Sequence, residues 1–307
     1  MMVGQERKWF SITDWQEKSA LHREQAERFT CGARERKDRG VPHPIEDFLF
    51  QYYPFPLSLL EVWQPGIGVG LEWRSGMESE VKFTLKYYCE ENGVLFADAA
   101  KLSDKERHRY HWILELLSAT AGRPGNFSCH GLHEWAMVYR GKEVRHEKTT
   151  PLRLKQAEID AVVESRTILC SHHDAFRFFA DEARPMNRLQ PTLDRRVELE
   201  QPGCVHANMD LYKWTAKSMP WAGTELLWET FMLAMKLRDL DMRASPYDLR
   251  AWGRQPVRIE TVEGRREYER EQRVLALDAE KLRARLIGVL VAVLANDEGK
   301  FEIKNLI

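Results

Sequence analysis

The sequence lacks several features that assign many chains to a broad class. It has no apolar run near the roughly 20 residues that a membrane-spanning helix needs; the longest, Leu286–Ala295, is far shorter. Neither sign of charge dominates, because 46 lysine and arginine residues are matched by 47 aspartate and glutamate residues. A nucleic-acid partner would therefore need a local basic face. We also expect no membrane association.

Cysteine is scarce, and its pattern excludes a disulfide framework. The five cysteines are odd in number and widely spaced, and the first residues of the chain are too polar for a secretory signal peptide. The H-E-x-x-H motif and the paired C-x-x-C motifs of familiar zinc sites are also missing. We therefore predict a cytoplasmic protein with free thiols, in which any metal site combines ligands from separate segments.

The residues that are present suffice for a large core, since 43% of the 307 positions are hydrophobic. Capping signals and apolar spacing predict a series of helices, two β-hairpins and a short strand. The helices cover 11–38, part of 41–55, 103–120, 155–164, 172–182, 224–241 and 264–295; the hairpins cover 80–97 and 135–147, and the strand covers 257–261. We therefore predict a predominantly α-helical α+β fold in one composite domain, residues 1–307, with residues 1–40 as a candidate helical arm.

The glycine-rich string at 64–70 admits two interpretations. Its P-G-I-G sequence is typical of the hairpin in helix-hairpin-helix DNA-binding elements, where glycines let backbone amides approach a phosphate. That element also requires a helix to begin at Gly68. The residues that follow lead instead towards an alternating segment, which favours a tight turn.

Three short segments combine cysteine, histidine and an acid, and they are the most informative part of the sequence. They are Cys129–Glu134, Cys170–Asp174 and Cys204–Asp210. In the third, a Pro-Gly turn is expected to precede a helix that is capped by His206 or Asn208. We predict that the three segments meet, so that one pocket is lined by His133, Glu134, His173, His206 and Asp210.

These segments admit three kinds of chemistry. The imidazoles of His133, His173 and His206 are typical zinc or iron ligands, and a nearby carboxylate would serve as a further ligand or as general base. Alternatively, a cysteine thiol at a helix N-terminus beside histidine would have a lowered pKa and would act as a nucleophile. The third kind of chemistry is binding of an electron-poor base, which would stack between aromatic rings near a carboxylate. The flanking aromatic residues are Trp135, Tyr139, Tyr212 and Trp214.

Five strings resemble a bacterial family, common in actinobacteria, whose members are usually labelled 3-methyladenine DNA glycosylase. They are H-P-I-E-D-F-L-F-Q-Y-Y (43–53), W-Q-P-G-I-G-V (63–69), H-E-W-A-M-V-Y-R (133–140), H-D-A-F-R-F-F (173–179) and P-G-C-V-H-A-N-M-D-L-Y-K-W (202–214). The similarity extends over nearly the whole chain, from about Ser11 to the C-terminal helix.

The resemblance implies hydrolysis of the N-glycosidic bond of an alkylated purine in damaged DNA. In that hypothesis Asp210 or Glu134 is the catalytic carboxylate, and the substrate is bound by Trp135, Tyr139, His173, Asn208, Tyr212 and Trp214. Two alternatives stay open. One is a metal-dependent enzyme acting on a small metabolite, with zinc or iron held by His133, His173 and His206. The other is a non-catalytic protein that binds a nucleotide or purine-like molecule in the same aromatic pocket.

Overall fold

The structure is a computed structural model, which describes residues 8–141 and 150–295. These residues form eleven α-helices and four β-strands, so the predicted, predominantly helical α+β fold is confirmed. The chain divides into two compact units. Unit 1 consists of the described residues within 1–114, 212–229 and 285–307. Unit 2 consists of those within 115–211 and 230–284.

The elements follow one another along the chain with five short 3-10 turns between them. They are β1 (Lys8–Phe10), α1 (Ile12–Asp38), α2 (Phe48–Tyr52), α3 (Ser58–Glu61), β2 (Val69–Glu72), β3 (Tyr88–Glu91), β4 (Val94–Ala97), α4 (Asp104–Ala121), α5 (Leu132–Ala136), α6 (Gln156–Glu164), α7 (His173–Phe176), α8 (Arg196–Leu199), α9 (Val205–Lys217), α10 (Gly223–Ala244) and α11 (Val262–Leu294). Helices α4, α9, α10 and α11 each contribute residues to both units.

Unit 1 contains the sheet, whose strands lie in the order β1-β2-β4-β3. β1 and β2 pair in parallel, and the other neighbours pair antiparallel. The hairpin of β3 and β4 turns at Asn92 and Gly93, which both have positive φ, as the tight hairpin turn requires. The predicted hairpin within 80–97 is thus present, although its strands begin only at Tyr88.

Helix α1 begins where the sequence predicted. The Ser11 hydroxyl accepts a hydrogen bond from the Asp14 backbone amide at 3.2 Å, and the Asp14 carboxylate accepts one from the Ser11 amide at 3.3 Å. This reciprocal pair satisfies two amides that the first helical turn leaves without partners. One turn into the helix, Trp15 is buried and stacks on Trp73, with ring centroids 6.4 Å apart.

The glycine-rich string forms a turn that leads into a strand. Gly66 and Gly68 have positive φ, and β2 begins directly afterwards, so the helix-hairpin-helix interpretation is wrong. A Cβ atom on Gly66 would lie 3.1 Å from backbone atoms of Gly223, at the start of α10. Glycine is therefore needed here for close packing between two backbone segments of unit 1.

The second predicted hairpin, at 135–147, is not formed by the residues that the structure describes. Leu132–Ala136 is the helix α5, Tyr139–Gly141 is a 3-10 turn, and residues 142–149 lie outside the described ranges. The buried residues Leu132, Trp135, Ala136 and Tyr139 recur at helical spacing, which outweighs the alternation seen in the sequence. The Trp135 indole then donates to the Ala244 carbonyl at 2.8 Å, which joins α5 to α10.

Two other local predictions assigned more regular secondary structure than the chain forms. The predicted helix 172–182 is formed only as α7, because after Phe176 the backbone continues in single i+3 turns towards Pro185. The segment 257–261 is not a strand, although Val257 donates one backbone hydrogen bond to Arg243. The helices predicted from 103, 155, 224 and 264 are present with ends shifted by at most three residues. In the described part of the chain, no helix is long and apolar enough to cross a membrane.

One stability prediction concerns Glu106 at the start of α4. Its carboxylate accepts hydrogen bonds from the Ser103 hydroxyl and amide at 2.6 and 2.9 Å, and from the Tyr87 hydroxyl. Partial burial alone would raise the pKa of Glu106, but these hydrogen bonds lower it to about 2. Because the folded-state pKa lies below the unfolded value, ionised Glu106 stabilises the fold above roughly pH 4.3 and loses this effect as the pH falls towards 2.

We therefore expect Glu106→Gln to lower the free energy of unfolding by about 1 kcal/mol at pH 7. The difference from the wild type should shrink below about pH 4, as urea denaturation at several pH values would show. Glu17→Gln, at an exposed position of α1, is the control and should have little effect at either pH. A loss of stability that stays constant from pH 7 to 3 would contradict the role given to the ionised carboxylate.

Candidate metal centre

The three Cys/His/acid segments meet inside unit 2. A buried space of about 20 Å³, here called the inner cavity, is bordered by residues of all three segments. The first segment supplies Cys129 and His133, the second Cys170 and Ser171, and the third Cys204 and His206. Helix α11 closes another side of the cavity with Tyr268 and Gln272. Residues that are about 40 and 35 positions apart in sequence are thereby brought to one place.

The local backbone explains how His133 reaches this place. His130 and Gly131 both have positive φ, which turns the chain sharply into α5. A Cβ atom on Gly131 would lie 3.2 Å from Cβ of Ala244 on α10, so glycine lets the two helices approach closely. His133 then lies in the first turn of α5, and its side chain is buried in unit 2.

His133, His206 and Asp241 form a candidate metal site, here called the metal triad. One ligand atom from each lies within 4.8 Å of the other two, and all three residues are buried. The two imidazole rings are 4.7 Å apart between centroids and nearly perpendicular, at 80°. Two imidazoles and one carboxylate are a familiar ligand set for zinc and for non-haem iron.

The contact between His133 and Asp241 has the spacing of two ligands of one ion. His133 Nε2 lies 2.9 Å from Asp241 Oδ1, yet neither atom has a hydrogen-bond partner of acceptable geometry among the described residues. Two ligands at roughly 2.0–2.1 Å from a tetrahedral zinc ion lie about 3.3 Å apart. The observed separation is a few tenths of an ångström shorter than this, so a small displacement of either side chain would let both atoms bind one cation.

The two histidines of the triad differ in their electrostatics. Burial lowers the pKa of His206 to about 3, with a further contribution from the neighbouring His133, so His206 is neutral as a metal ligand must be. Burial also opposes a charge on His133, but the Asp241 carboxylate outweighs burial and raises the pKa of His133 well above its usual value, so a metal ion would have to displace the proton of His133. The pKa of Asp241 is lowered by His133 despite burial, so its carboxylate is ionised.

Further groups orient the triad residues. Cys129 Sγ lies 3.5 Å from His133 Nδ1, which fixes the ring so that Nε2 is the atom facing Asp241. Arg238 Nη1 lies 3.3 Å from the other oxygen of Asp241 and donates to Glu134 Oε1 at 2.7 Å. Such outer contacts hold the ligands of metal sites in place.

A second group of ligand atoms, here called the arginine cluster, contains its own positive charge. His172, Asp174 and Asp210 also bring ligand atoms within 4.8 Å of one another. Arg196 lies among them, donating to Asp210 Oδ2 and to Glu200 Oε1 at 2.6 Å each. Because a guanidinium group already lies among these carboxylates, the triad is the better candidate for a metal site than the arginine cluster. The rings of His172 and His206 stack at 5.5 Å between centroids, which connects the two groups.

The carboxylates of the two groups outnumber the arginines that contact them. Four carboxylates are buried, and the partly buried Asp174 brings the number to five. Four arginines among the described residues belong to these groups or contact them, which leaves an excess of one negative charge. The carboxylates are Glu134, Asp174, Glu200, Asp210 and Asp241; the arginines are Arg177, Arg196, Arg238 and Arg283. A protonated imidazole, or a metal cation in its place, would offset this excess.

The two residues predicted as catalytic are both ion-paired. Asp210 is fully buried and bound by Arg196, and Glu134 is buried and bound by Arg238. Neither borders the inner cavity. His173, predicted as a metal ligand and substrate contact, is only partly buried and lies with Nδ1 3.3 Å from Asp174 Oδ1. Of the three histidines predicted as ligands, His133 and His206 are brought together.

The remaining predicted substrate contacts serve the core instead. Trp135 is fully buried, Tyr139 donates to Glu164 at 2.6 Å, and Asn208 bonds the Pro202 carbonyl and Arg283. Asn208 lies inside α9 rather than capping it, because the helix already begins at Val205. Two further aromatic residues lie in unit 1. They are Tyr212, which packs against Tyr53 and Phe55, and Trp214, which packs against Trp112.

Sequence reasoning missed Asp241, the carboxylate of the triad. Its position carried a signal, because it continues the buried stripe of α10 at four residues from Leu237 and seven from Ala234. An acid on the apolar face of an amphipathic helix is rarely buried without a partner. Arg196 and Gln272 were missed as well, since neither stands beside a histidine or cysteine in sequence.

Cys170 and Cys204, two cysteines of the inner cavity, are not activated as nucleophiles. Burial raises the pKa of Cys204 to about 12 and raises the pKa of Cys170 further. Both are therefore neutral thiols at physiological pH. The lowered pKa that nucleophilic catalysis by either residue requires is absent in this part of the described structure.

Arg196 should be essential for stability, because its loss leaves Asp210 and Glu200 buried without a compensating charge. We expect Arg196→Met to lower the free energy of unfolding by about 3–5 kcal/mol. The neighbouring Arg195 is exposed and pairs with Glu198 at the surface, so Arg195→Met should cost about 1 kcal/mol or less. Urea denaturation of both variants measures the difference. Equal, small losses would show that the arginine cluster is not compensated as described.

Comparison with models of known protein families, with curated proteins and with solved structures returns no match to this chain. The chemistry of the site therefore has to be inferred from its own geometry. That geometry consists of two buried imidazoles and one carboxylate around a common point, with a small cavity bordered by both histidines.

Proposed function

We propose that the protein is a metal-dependent enzyme that acts on a small metabolite and holds zinc or iron(II) through His133, His206 and Asp241. The observation that carries the proposal is the 2.9 Å contact of His133 Nε2 with Asp241 Oδ1, which lacks hydrogen-bond geometry and has His206 beside it. The buried Asp241 carboxylate supports it, because a bound cation would replace the proton of His133 as the positive charge opposite this carboxylate.

The ligand set is that of a catalytic rather than a structural metal site. Structural zinc sites have four protein ligands, whereas catalytic sites have three and leave a position for water or substrate. The triad supplies three, and the inner cavity lies beside both histidines. A volume of about 20 Å³ is sufficient for one water molecule.

A larger pocket next to the inner cavity is suited to a metabolite. This outer pocket has a volume of about 360 Å³ and shares Asn126 with the inner cavity. It contains the Phe127 ring with the Arg273 guanidinium 4.0 Å from the ring centroid, and also His130 and Glu269. Its volume falls in the range of small-molecule sites. All five cysteines are free thiols, which fits the cytoplasmic location that forms part of this proposal.

Glycosidic bond hydrolysis, as the family resemblance implies, is the alternative proposal. In its favour, residues 133–140 and 202–211 of the resembling strings contribute to one site in unit 2. Against it, the carboxylates Asp210 and Glu134 are held by arginines, and the inner cavity is far smaller than a purine. A flipped base requires a pocket that encloses it.

The metal content of the purified protein tests the first proposal. We expect about one zinc or iron ion per chain by elemental analysis, and a loss of roughly tenfold or more in His206→Ala, because a ligand is removed. His173→Ala is the matched control, since His173 was an equally good ligand in sequence but lies outside the triad. It should keep the metal. Folded wild-type protein that takes up neither ion, or equal metal loss in both variants, would overturn the proposal.

A base-release assay separates the two proposals. With alkylated duplex DNA as substrate, we expect no release of 3-methyladenine from wild-type protein, because no described carboxylate is free to act on a flipped base in the inner cavity. Release that is abolished by Asp210→Asn and kept after removal of metal by a chelator would establish the glycosylase instead. Tight binding of a purine nucleotide without turnover would favour the non-catalytic alternative.

A further inference from the structure

We infer that Ser171 and Gln272 hold one water molecule in the inner cavity, at the open position of the metal triad. Both are positioning residues for this water. The inference rests on the proposed metal centre and deepens it, because it names the small ligand that the site accepts: a water-sized molecule that donates a hydrogen bond.

The observation behind it is a set of buried polar atoms that border the same small space. Ser171 Oγ and Gln272 Oε1 have no hydrogen-bond partner in the described ranges, and their residues are only 5% and 2% exposed. Both residues line the inner cavity, together with His133, whose Nε2 also lacks such a partner there. A buried polar atom without a partner costs roughly 1–3 kcal/mol. Since His133 Nε2 faces Asp241 and the proposed metal, Ser171 Oγ and Gln272 Oε1 are the two atoms that indicate a polar ligand in the cavity.

The orientation of the Gln272 amide determines what that ligand can be. Its Nε2 donates to the Gly203 carbonyl at 2.6 Å. The reversed amide would place two oxygens in contact, so Oε1 must be the atom that remains for the cavity. A carbonyl oxygen only accepts hydrogen bonds. The ligand must therefore be a donor, which dioxygen, carbon monoxide and a halide ion are not.

The size of the cavity restricts the ligand further. About 20 Å³ admits one water molecule, for which roughly 10–15 Å³ is the minimum. Water can donate to Gln272 Oε1 and exchange a second hydrogen bond with Ser171 Oγ, while its oxygen lone pair faces the metal. The remaining wall contains the thiols of Cys129, Cys170 and Cys204, which are weak hydrogen-bonding groups. Asn126 and Gln201 also border the cavity, but their side-chain oxygens already accept hydrogen bonds, so Ser171 and Gln272 are the residues whose oxygens remain for the water.

Fluoride binding to the cobalt-substituted protein tests this inference. Fluoride is similar in size to hydroxide, replaces water on a metal, and accepts hydrogen bonds without donating them. At the inferred position it would face Gln272 Oε1, which repels it, and Ser171 Oγ, which can donate to it. The two residues should therefore affect fluoride binding in opposite directions, and the visible spectrum of cobalt(II) reports the exchange.

We expect Gln272→Met to bind fluoride roughly tenfold more tightly than the wild type, and Ser171→Ala to bind it roughly tenfold more weakly, about one hydrogen bond in each case. Cobalt stoichiometry should stay at one per chain. Ser171→Ala leaves the bond between Gln272 and Gly203 intact, so it remains informative if Gln272→Met folds poorly. Gln201→Met is the matched control and should leave fluoride affinity unchanged, since its side-chain oxygen already accepts from Asn126 and Gly203.

The outcomes separate this inference from the proposed function. If cobalt binds once per chain and is lost in His206→Ala, but both Ser171→Ala and Gln272→Met change fluoride affinity less than twofold, the water position is wrong and the metal centre stands. Changes of the same sign in the two variants would also overturn it. If wild-type protein takes up no cobalt, the metal centre itself is wrong, and this inference falls with it.

Discussion

The site in unit 2 depends on the compensation of buried carboxylate charge. Asp210 and Glu200 both accept hydrogen bonds from Arg196, and Glu134 accepts one from Arg238, at 2.6–2.7 Å. Asp241 receives only a longer contact from Arg238 on one oxygen, while its other oxygen lies against His133. A buried charge with incomplete compensation is costly. The metal ion that we propose would replace the proton of His133 as the positive charge beside Asp241, and it would explain why two imidazoles converge on the same carboxylate.

The general fold and the convergence of the three segments could be predicted from the sequence. The long helices have strong apolar periodicity, and α1 has a complete capping pattern at Ser11 and Asp14. Cysteine, histidine and acid in close succession identified His133 and His206, because these residue types are seldom placed together in a plain core. The short elements were less predictable. At Leu132–Ala136 alternation and helical spacing competed over a few residues, and packing of Trp135 against α10 decided the outcome.

The roles within the site could not be predicted, because they depend on neighbours that are distant in sequence. Asp210 has the surroundings of a catalytic acid in sequence, but Arg196 binds it in the fold. Asp241 has no histidine or cysteine near it in sequence, yet it completes the triad from α10. His173 was predicted as a site residue, but it is only partly buried and lies beside Asp174. The neighbouring His172, which was not predicted, is fully buried and stacks on His206. Burial and ion pairing across elements therefore decide which residues are available for chemistry.

X-ray absorption at the zinc edge of the zinc-loaded protein would test the central claim most directly, because it reports the atoms bound to the metal. The triad predicts nitrogen and oxygen neighbours at roughly 2.0–2.2 Å, with the outer-shell pattern of two imidazoles and no sulfur. Cys129, Cys170 and Cys204 border the same cavity and make the alternative a real one. A sulfur neighbour at roughly 2.3 Å would show that a thiolate binds the metal, and the assignment to His133, His206 and Asp241 would be wrong.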